Sequence, residues 1–459
     1  MLTGAHRLSG DLDASNFCDF PFPRRAPPSK LDASKSARLE SREGLATFVG
    51  KSGMAETSLV NSYRRIADVI RSAQRAAIEV ENAPEKRKRL RTFSSQEVAS
   101  LLGVPHREIT TYLKSTEEKG GSVRTRLTLT EVVSLRQAIF GKTGSVEILP
   151  WRRPAMGEGM ATVVFSNFKG GSAKTTSSVH FAQYLARAGY RVLLIDLDSQ
   201  ASATAQFGLD PSSEVGGENS FAGWTTARDE RRAISAASIC QRTYWSSIDL
   251  VPAGAVLAQA EESLARRSSS GQIESVLYFD ELNSFLAELG DTYDVAVVDT
   301  RPDVNMLMTI ALHAATCLIV PTRATMTDLA STGEFFAHLA SYVSDFEAAF
   351  GSRFPTRFTK IMITAFDPTD RSQEALASLI RERFGESVLP GEFLHSRIMG
   401  TAGFGKETLY EYEPSTDRAA YNRVLASANR VHQAIETYIR QVWGRGEDAA
   451  HDLGAEVQA

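Results

Sequence analysis

Phe165-Ser166-Asn167-Phe168-Lys169-Gly170-Gly171-Ser172-Ala173-Lys174-Thr175-Thr176 is a glycine-containing turn set between an apolar run and a helical stretch. The run before it, Ala161-Thr162-Val163-Val164-Phe165, is short, apolar and β-branched, which predicts a buried strand. Gly170 and Gly171 allow the backbone to wrap closely around phosphate oxygens, and the helix that follows aims its free N–H groups at them. Lys174 is placed to reach the outer phosphates of a nucleotide, and the Thr175 hydroxyl to hold Mg²⁺. One lysine is what such a loop needs. Lys169, five positions earlier, demands its own explanation.

Two further segments belong with the loop. A helical stretch from Thr176 to Ala188 stops at Gly189, and Arg191-Val192-Leu193-Leu194-Ile195-Asp196-Leu197-Asp198 then reads as an apolar strand ending in two carboxylates. Asp198 lies 24 residues beyond Lys174, enough for one helix and one returning strand, so it should emerge beside the loop. Tyr293-Asp294-Val295-Ala296-Val297-Val298-Asp299 is another buried strand ending in a carboxylate. A single strand-terminal aspartate is more often a cap or turn former. Three such motifs in this order point to a nucleotide site.

Lys169-Gly170-Gly171-Ser172-Ala173-Lys174-Thr175-Thr176 resembles the deviant Walker A signature of the ParA/MinD ATPases. The resemblance implies that Lys169 reaches across a dimer interface to the partner's nucleotide. It makes Lys174 the ordinary phosphate lysine, Thr175 the Mg²⁺ ligand and Thr176 a phosphate contact, with Gly170, Gly171, Ser172 and Ala173 completing the cradle. It gives Asp198 the orientation of the attacking water, and links Asp299 to Mg²⁺ through water. The chain departs from the family at Ala173, where a glycine usually precedes the second lysine, and at Thr300-Arg301-Pro302, which replaces the commoner Cys-Pro-Pro. A methyl group at Ala173 narrows the loop's conformational freedom, which bears on hydrolysis more than on binding.

The chain has 459 residues, enough for two or three domains, and the apolar and charged fractions of a globular protein. No uninterrupted apolar stretch approaches 18 residues and no signal pattern opens the sequence, which disfavours membrane spanning and secretion. Cys18, Cys240 and Cys317 have no metal or redox spacing, which suits a reducing cytoplasm and argues against metal-inserting relatives of this ATPase class.

The net charge of −4 predicts no nucleic-acid partner, but its distribution does. Between Pro84 and Lys142 there are twelve Lys/Arg against six Glu and no Asp. Within this stretch Ser94 and Glu97 make a capping box, Val98, Leu101 and Leu102 an apolar face, Gly103 a helix stop, and Pro105 the first turn of a second helix. This is a helix-turn-helix pattern whose second helix offers His106, Arg107, Thr110, Thr111 and Lys114 to a major groove. Lys119 to Arg126, with Arg124 and Arg126, reads as a basic wing, and Thr128 with Glu131 caps another helix. A small helical domain with a solvated basic face is the competing reading. The stretch resembles the winged N-terminal domain of the larger plasmid ParA and RepA partition proteins.

Residues 1–53 are rich in Pro, Ser, Arg and Asp and are expected to be disordered, with Met54 an alternative start. Within 54–82, Leu59, Tyr63, Ile66, Ile70, Ala73, Ala77 and Val80 recur at helical steps. In the family such a helix pairs two chains; packing back onto its own domain is comparable. Residues 83–142 form the expected DNA-reading domain, 143–160 a linker, 161–443 the ATPase domain and 444–459 a polar tail. Strand–helix alternation makes the ATPase domain α/β, a mainly parallel sheet with helices on both faces. Its last helix, Thr416 to Trp443, carries Arg418 and Arg423, and Lys406 lies in the loop before it. These cations contact DNA phosphates without reading sequence, or form an ordinary solvated face. A MinD-type membrane helix is disfavoured, because the chain continues into an acidic polar tail.

These readings lead to a cytoplasmic, nucleoid-associated ATPase that partitions a low-copy replicon and represses its own operon. It would use ATP and Mg²⁺, form a homodimer, bind operator and nonspecific DNA, and answer to a ParB-type centromere-binding partner. The competing class is a DNA-binding regulator that uses ATP as a conformational ligand with little turnover.

Overall fold

The structure, a computed structural model, describes residues 61, 63–66, 69, 70, 72, 88–116, 126–145, 147–269, 277–395, 407–414 and 417–445. The segment 1–53, most of the 54–82 helix, wing residues 117–125 including Arg124, Lys406 and the tail from 446 lie outside the described residues. Two compact units are present, residues 1–89 and residues 90–459. In the first, residues 61, 63–66, 69, 70 and 72 are helical, and Tyr63, Ile66, Val69 and Ile70 are exposed.

The second unit begins with a small helical module. Strand β1 (Phe93–Ser94) pairs antiparallel with β2 (Arg126–Leu127), placing Phe93 opposite Leu127. Helix α1 (Ser95–Leu102) starts at the Ser94/Glu97 capping box and ends at Gly103, whose φ of 62° is easy only for glycine. Helix α2 (His106–Thr116) follows, and α3 (Leu129–Thr143) starts at a second capping box, Thr128 with Glu131. Phe93, Val98, Leu102, Ile109, Leu127, Val132 and Leu135 are buried at its centre.

The remainder is a three-layer α/β domain. In chain order it contains β3 (Ala161–Phe165), α4 (Lys174–Ala188), β4 (Val192–Leu197), α5 (Ser202–Gln206), α6 (Phe221–Asp229), β5 (Gln241–Arg242) and β6 (Ile248–Val251). Next come α7 (Leu257–Ser269), α8 (Glu281–Glu288), β7 (Val295–Thr300), α9 (Met306–Ala314) and β8 (Cys317–Arg323). Helix α10 (Met326–Phe350), β9 (Phe358–Thr364), α11 (Arg371–Phe384) and α12 (Arg418–Val442) complete it. The seven strands are ordered β5-β6-β4-β7-β3-β8-β9, and all pairings are parallel except β5 with β6. Alternate side chains of the central strands feed opposite cores, as the two-residue strand period requires. Val163, Phe165, Leu194 and Val297 join the cluster that holds α4 and α12, whereas Val164, Leu193, Ile195 and Val298 pack towards α6 to α10.

The helical module shares a core with the α/β domain. Phe93, Val98 and Leu135 belong to the same apolar cluster as Phe181, Leu185, Val424 and Val431. The stretch expected as a linker is packed along this seam. Ile148, Leu149 and Pro150 are buried. The Trp151 indole donates to the Gly189 carbonyl at 2.7 Å, and Arg152 Nε to the Tyr293 carbonyl at 2.9 Å. Arg136 of α3 is the bolt: its guanidinium donates to the carbonyls of Ile148 (2.9 Å), Leu101 (2.8 Å) and Arg187 (2.8 Å). It thereby sits against the negative, carbonyl ends of both α1 and α4. Gly189 runs at φ 105°, and a Cβ there would lie 2.8 Å from Arg136 Cδ, so the close approach also calls for glycine. Among the described residues, no helix is long and apolar enough to cross a membrane.

Candidate nucleotide site

Strand register assembles the site. Phe165, the residue before the loop, lies opposite Asp299, and Asp196 lies opposite Asp299 from the other side. Parallel strands β3, β4 and β7 therefore release the loop, Asp198 and Asp299 at one carboxyl edge, where α/β sheets bind ligands. Loop residues Ser166 to Ala173 lead directly into α4, whose first residue is Lys174.

Asn167, which the sequence reading passed over, fixes the loop's entry. Its amide donates to the Pro321 carbonyl at 2.8 Å and to Thr332 Oγ1 at 3.0 Å, tying the loop to β8 and α10. On the far side, Thr364 Oγ1 donates to the Ser172 carbonyl at 2.9 Å. Gly171 has φ 75°, and Ala173 has φ 68° and ψ 29°. Ala173 thus occupies the left-handed conformation that glycine adopts without penalty, at a cost of roughly 1–2 kcal/mol. The backbone N–H groups of Gly170, Gly171, Ser172 and Ala173 make no backbone hydrogen bond of good geometry among the described residues. They form an open nest for anionic oxygen.

Charges around the nest are buried and incompletely matched. Lys174 is buried; its Nζ donates to the Lys169 carbonyl at 3.0 Å. Burial pulls its amine down to about 8, against the opposing pull of Asp299 and Asp198. The half-buried Lys169 finds no ion-pair partner among the described residues. Asp299 is wholly buried, and neither carboxylate oxygen has a partner with good hydrogen-bond geometry. The Thr175 hydroxyl is nonetheless close enough to favour its ionised form. Burial first, and the neighbouring Asp196 second, hold Asp299 well above the usual carboxylate range. A buried carboxylate without donors, beside a threonine hydroxyl at the mouth of an anion nest, fits a hydrated divalent cation and the phosphates it accompanies.

The two aspartates at the end of β4 have separate roles. Asp196 is saturated: it accepts from the Asp198 N–H (3.1 Å), the Thr204 N–H (2.9 Å) and Thr204 Oγ1 (2.8 Å), and so anchors α5. Burial pushes it up to about 6, opposed by the Thr204 hydrogen bonds. Asp198 accepts one bond, from the Gln200 N–H at 2.9 Å, and retains acceptor capacity towards the loop. Asp198 thus keeps acceptor capacity that Asp196 has already spent.

The residues expected to touch DNA are distributed unevenly. His106, Arg107, Thr111 and Lys114 are exposed on α2 and Thr110 is half-buried; the hydroxyls of Thr110 and Thr111 donate to the Arg107 carbonyl. His106 Nε2 is 2.9 Å from Ser95 Oγ. Arg126 is committed elsewhere: it donates to Thr92 Oγ1 at 2.8 Å and pairs with Glu413 at 3.1 Å. Arg418 and Arg423 are exposed near the start of α12, but Arg418 and Arg126 line one groove between the helical module and the α/β domain. No periodicity signal could have joined residues so distant in sequence.

A family model described as an AAA domain matches residues 160–348. The chain is similar to putative replication protein A of Rhizobium rhizogenes, at 33% identity over 414 residues, covering 87% of this chain and 100% of that protein. It is also similar to Protein SopA of Escherichia coli (strain K12), 26% identical over 342 residues, with 72% and 83% covered. A ParA family protein of Chlamydia muridarum is 28% identical over 246 residues, with 52% and 83% covered. A solved structure described as a partition protein shares the fold, with a TM-score of 0.56 at 17% identity, covering 82% of this chain and 99% of that one. Likeness to a relative along that relative's whole length, at one-third identity, and a sheet that carries the expected motifs to one edge lead to one assignment: the chain belongs to the ParA family of partition ATPases.

Proposed function

We propose that the chain is an ATP-hydrolysing partition protein of a plasmid or secondary replicon, acting at the nucleoid. The observation that carries the reading is the convergence of Lys174, Thr175, Asp198 and Asp299 around backbone N–H groups that make no backbone hydrogen bond of good geometry among the described residues. Gly170 to Thr176 hold the phosphates, Lys174 exchanges its bond to the Lys169 carbonyl for phosphate oxygen, and Thr175 with Asp299 holds hydrated Mg²⁺. Mg²⁺, when bound, supplies charge neutralisation at the phosphates. Asp198 orients the attacking water, and Lys169 completes the site of a second copy in an ATP-bound homodimer. The exposed α2 residues read an operator and repress the chain's own operon, Arg423 and neighbouring cations hold random DNA, and a ParB-type partner stimulates hydrolysis.

Asp198→Ala tests the assignment. It should bind ATP normally and persist as a DNA-bound dimer, while phosphate release falls at least tenfold. Wild-type turnover in that variant would remove Asp198 from the reaction. Ala173 in its left-handed conformation gives the competing reading, a regulator with little turnover, its one physical support. Phosphate release that stays negligible with DNA and the centromere-binding partner present would favour it.

A further inference from the structure

A groove of about 750 Å³ lies between the helical module and the ATPase domain, remote from the phosphate loop. Four arginines line it, Arg91, Arg126, Arg187 and Arg418, against two carboxylates, Glu97 and Glu413. The pairing is unequal. Arg91 Nη1 is 3.0 Å from Glu97 and Arg126 Nη2 is 3.1 Å from Glu413, which accounts for both acids. Arg418 is exposed and pairs with no carboxylate among the described residues. Arg187 is only 9% exposed, its guanidinium stacks over the Tyr410 ring at 4.6 Å, and its sealed Nε has no hydrogen-bond partner.

A buried guanidinium normally makes several hydrogen bonds, because removing a cation from water without them costs several kcal/mol. Arg136, which donates to the carbonyl of Arg187 itself, shows the usual solution with three carbonyls. Arg187 has a ring face and charges beyond hydrogen-bond reach only: burial pulls its value down, Tyr410 opposes that, and Arg91 adds to it, with Glu97 a smaller opposing influence. The site thus has an excess of two cations, one of them preformed and desolvated. Its volume falls within the roughly 300–1,000 Å³ of small-molecule sites. Tyr184, Tyr412 and Tyr421 contribute aromatic surface of the kind on which a base stacks.

We propose that this groove is a second ligand site, for a small phosphorylated molecule of nucleotide size whose phosphate is met by Arg187 and Arg418. A concave space of this volume suits a small ligand better than a duplex, whose phosphates follow a convex surface. The location gives the ligand leverage. Helix α4 begins at Lys174 and has 15 residues, so Arg187 stands about 20 Å from the phosphate loop on the same rigid rod. The opposite wall, with Ser94, Glu97 and Ser100, runs along α1 from its N-cap to its last turn. A molecule held here bridges the nucleotide-gripping helix and the module expected to read DNA.

The test must separate this site from the loop. Full-length protein is saturated with Mg²⁺ and a slowly hydrolysed ATP analogue, then titrated calorimetrically with GDP and, separately, with inorganic pyrophosphate. One further equivalent of GDP per chain is expected. Arg187→Gln and Arg418→Gln should each weaken it at least tenfold, while Lys174→Gln, which disables the loop, should leave it unchanged. Arg418→Gln alters an exposed residue, so it decides the matter if Arg187→Gln fails to fold. No binding of either probe overturns the proposal. So does binding that disappears in Lys174→Gln but survives Arg418→Gln, which would place it in the loop. If neither probe binds yet Arg418→Gln weakens random-duplex binding, the groove serves DNA and the proposal is wrong. Failure of the loop reading shows separately, as normal ATP affinity in Lys174→Gln.

Discussion

Two buried carboxylates on the same domain are treated in opposite ways. Glu411 accepts from the Trp245 indole at 2.9 Å, the Gln183 amide at 3.2 Å, the Thr408 N–H at 2.9 Å and the Tyr244 hydroxyl. Asp299, equally hidden, has no partner of good geometry. The first is a finished knot that joins the loop before α12 to α4 and to the segment before β6. The second is an unfinished one, whose missing partners belong to whatever the phosphate loop binds. A charge left short of donors at a strand end marks function, and a charge fully supplied with donors marks architecture.

The comparison breaks if the two acids respond alike to mutation. Glu411→Ala should be the costliest change, because it strands an indole N–H, a phenol and an amide in the interior. A loss of about 3–5 kcal/mol is expected in urea unfolding, with ATP affinity affected only through folding. Lys174→Gln should do the reverse, weakening ATP about a hundredfold or more by calorimetry, equivalent to about 2.7 kcal/mol, with stability little changed.

Asp299→Asn sharpens the contrast through pH. Asp299 and Asp196 both have raised folded-state values, so each contributes stability that is present below the unfolded value of about 4 and lost as pH rises through the folded one. Relative to Asp299→Asn, the ligand-free wild type should therefore lose stability steadily as pH rises from 4 to 7. The difference between the two proteins is the observable, because His180 and His313, both pushed down to about 4 by burial, titrate in each with the opposite sign. Parallel curves would mean that Asp299 is ionised at no cost. The smallest effect is Ala173→Gly. Relief of the left-handed alanine is offset by the greater freedom of unfolded glycine, leaving a gain of at most about 1 kcal/mol in thermal unfolding. A loss would show that the methyl group packs usefully.

Much of this was legible in the sequence, and for identifiable reasons. The loop, both strand-end aspartates and the two capping boxes are local patterns, and each appears where its spacing requires. Pairings across hundreds of residues left no such trace. Gln183 with Glu411, or Arg126 with Glu413, depends on how three layers stack. The basic neighbours of Arg126 predict a wing, but the structure gives its guanidinium to Thr92 and Glu413. Proline and glycine between 143 and 160 suggested a tether, yet Trp151, Arg152 and Glu158 make that stretch a seam.

The Arg136 bolt has a practical corollary for anyone dividing this protein into parts. A fragment beginning at Ala161 would lose the guanidinium that closes the carboxyl end of α4, and would expose the apolar face that Val98 and Leu135 now cover. The helical module alone would fare no better, since Phe93, Val98 and Leu135 share their core with Phe181, Leu185, Val424 and Val431. Chimeras that exchange the module between relatives must carry the facing surface of α4 and α12 with it, and a cut at residue 143 would lay apolar surface bare on both pieces.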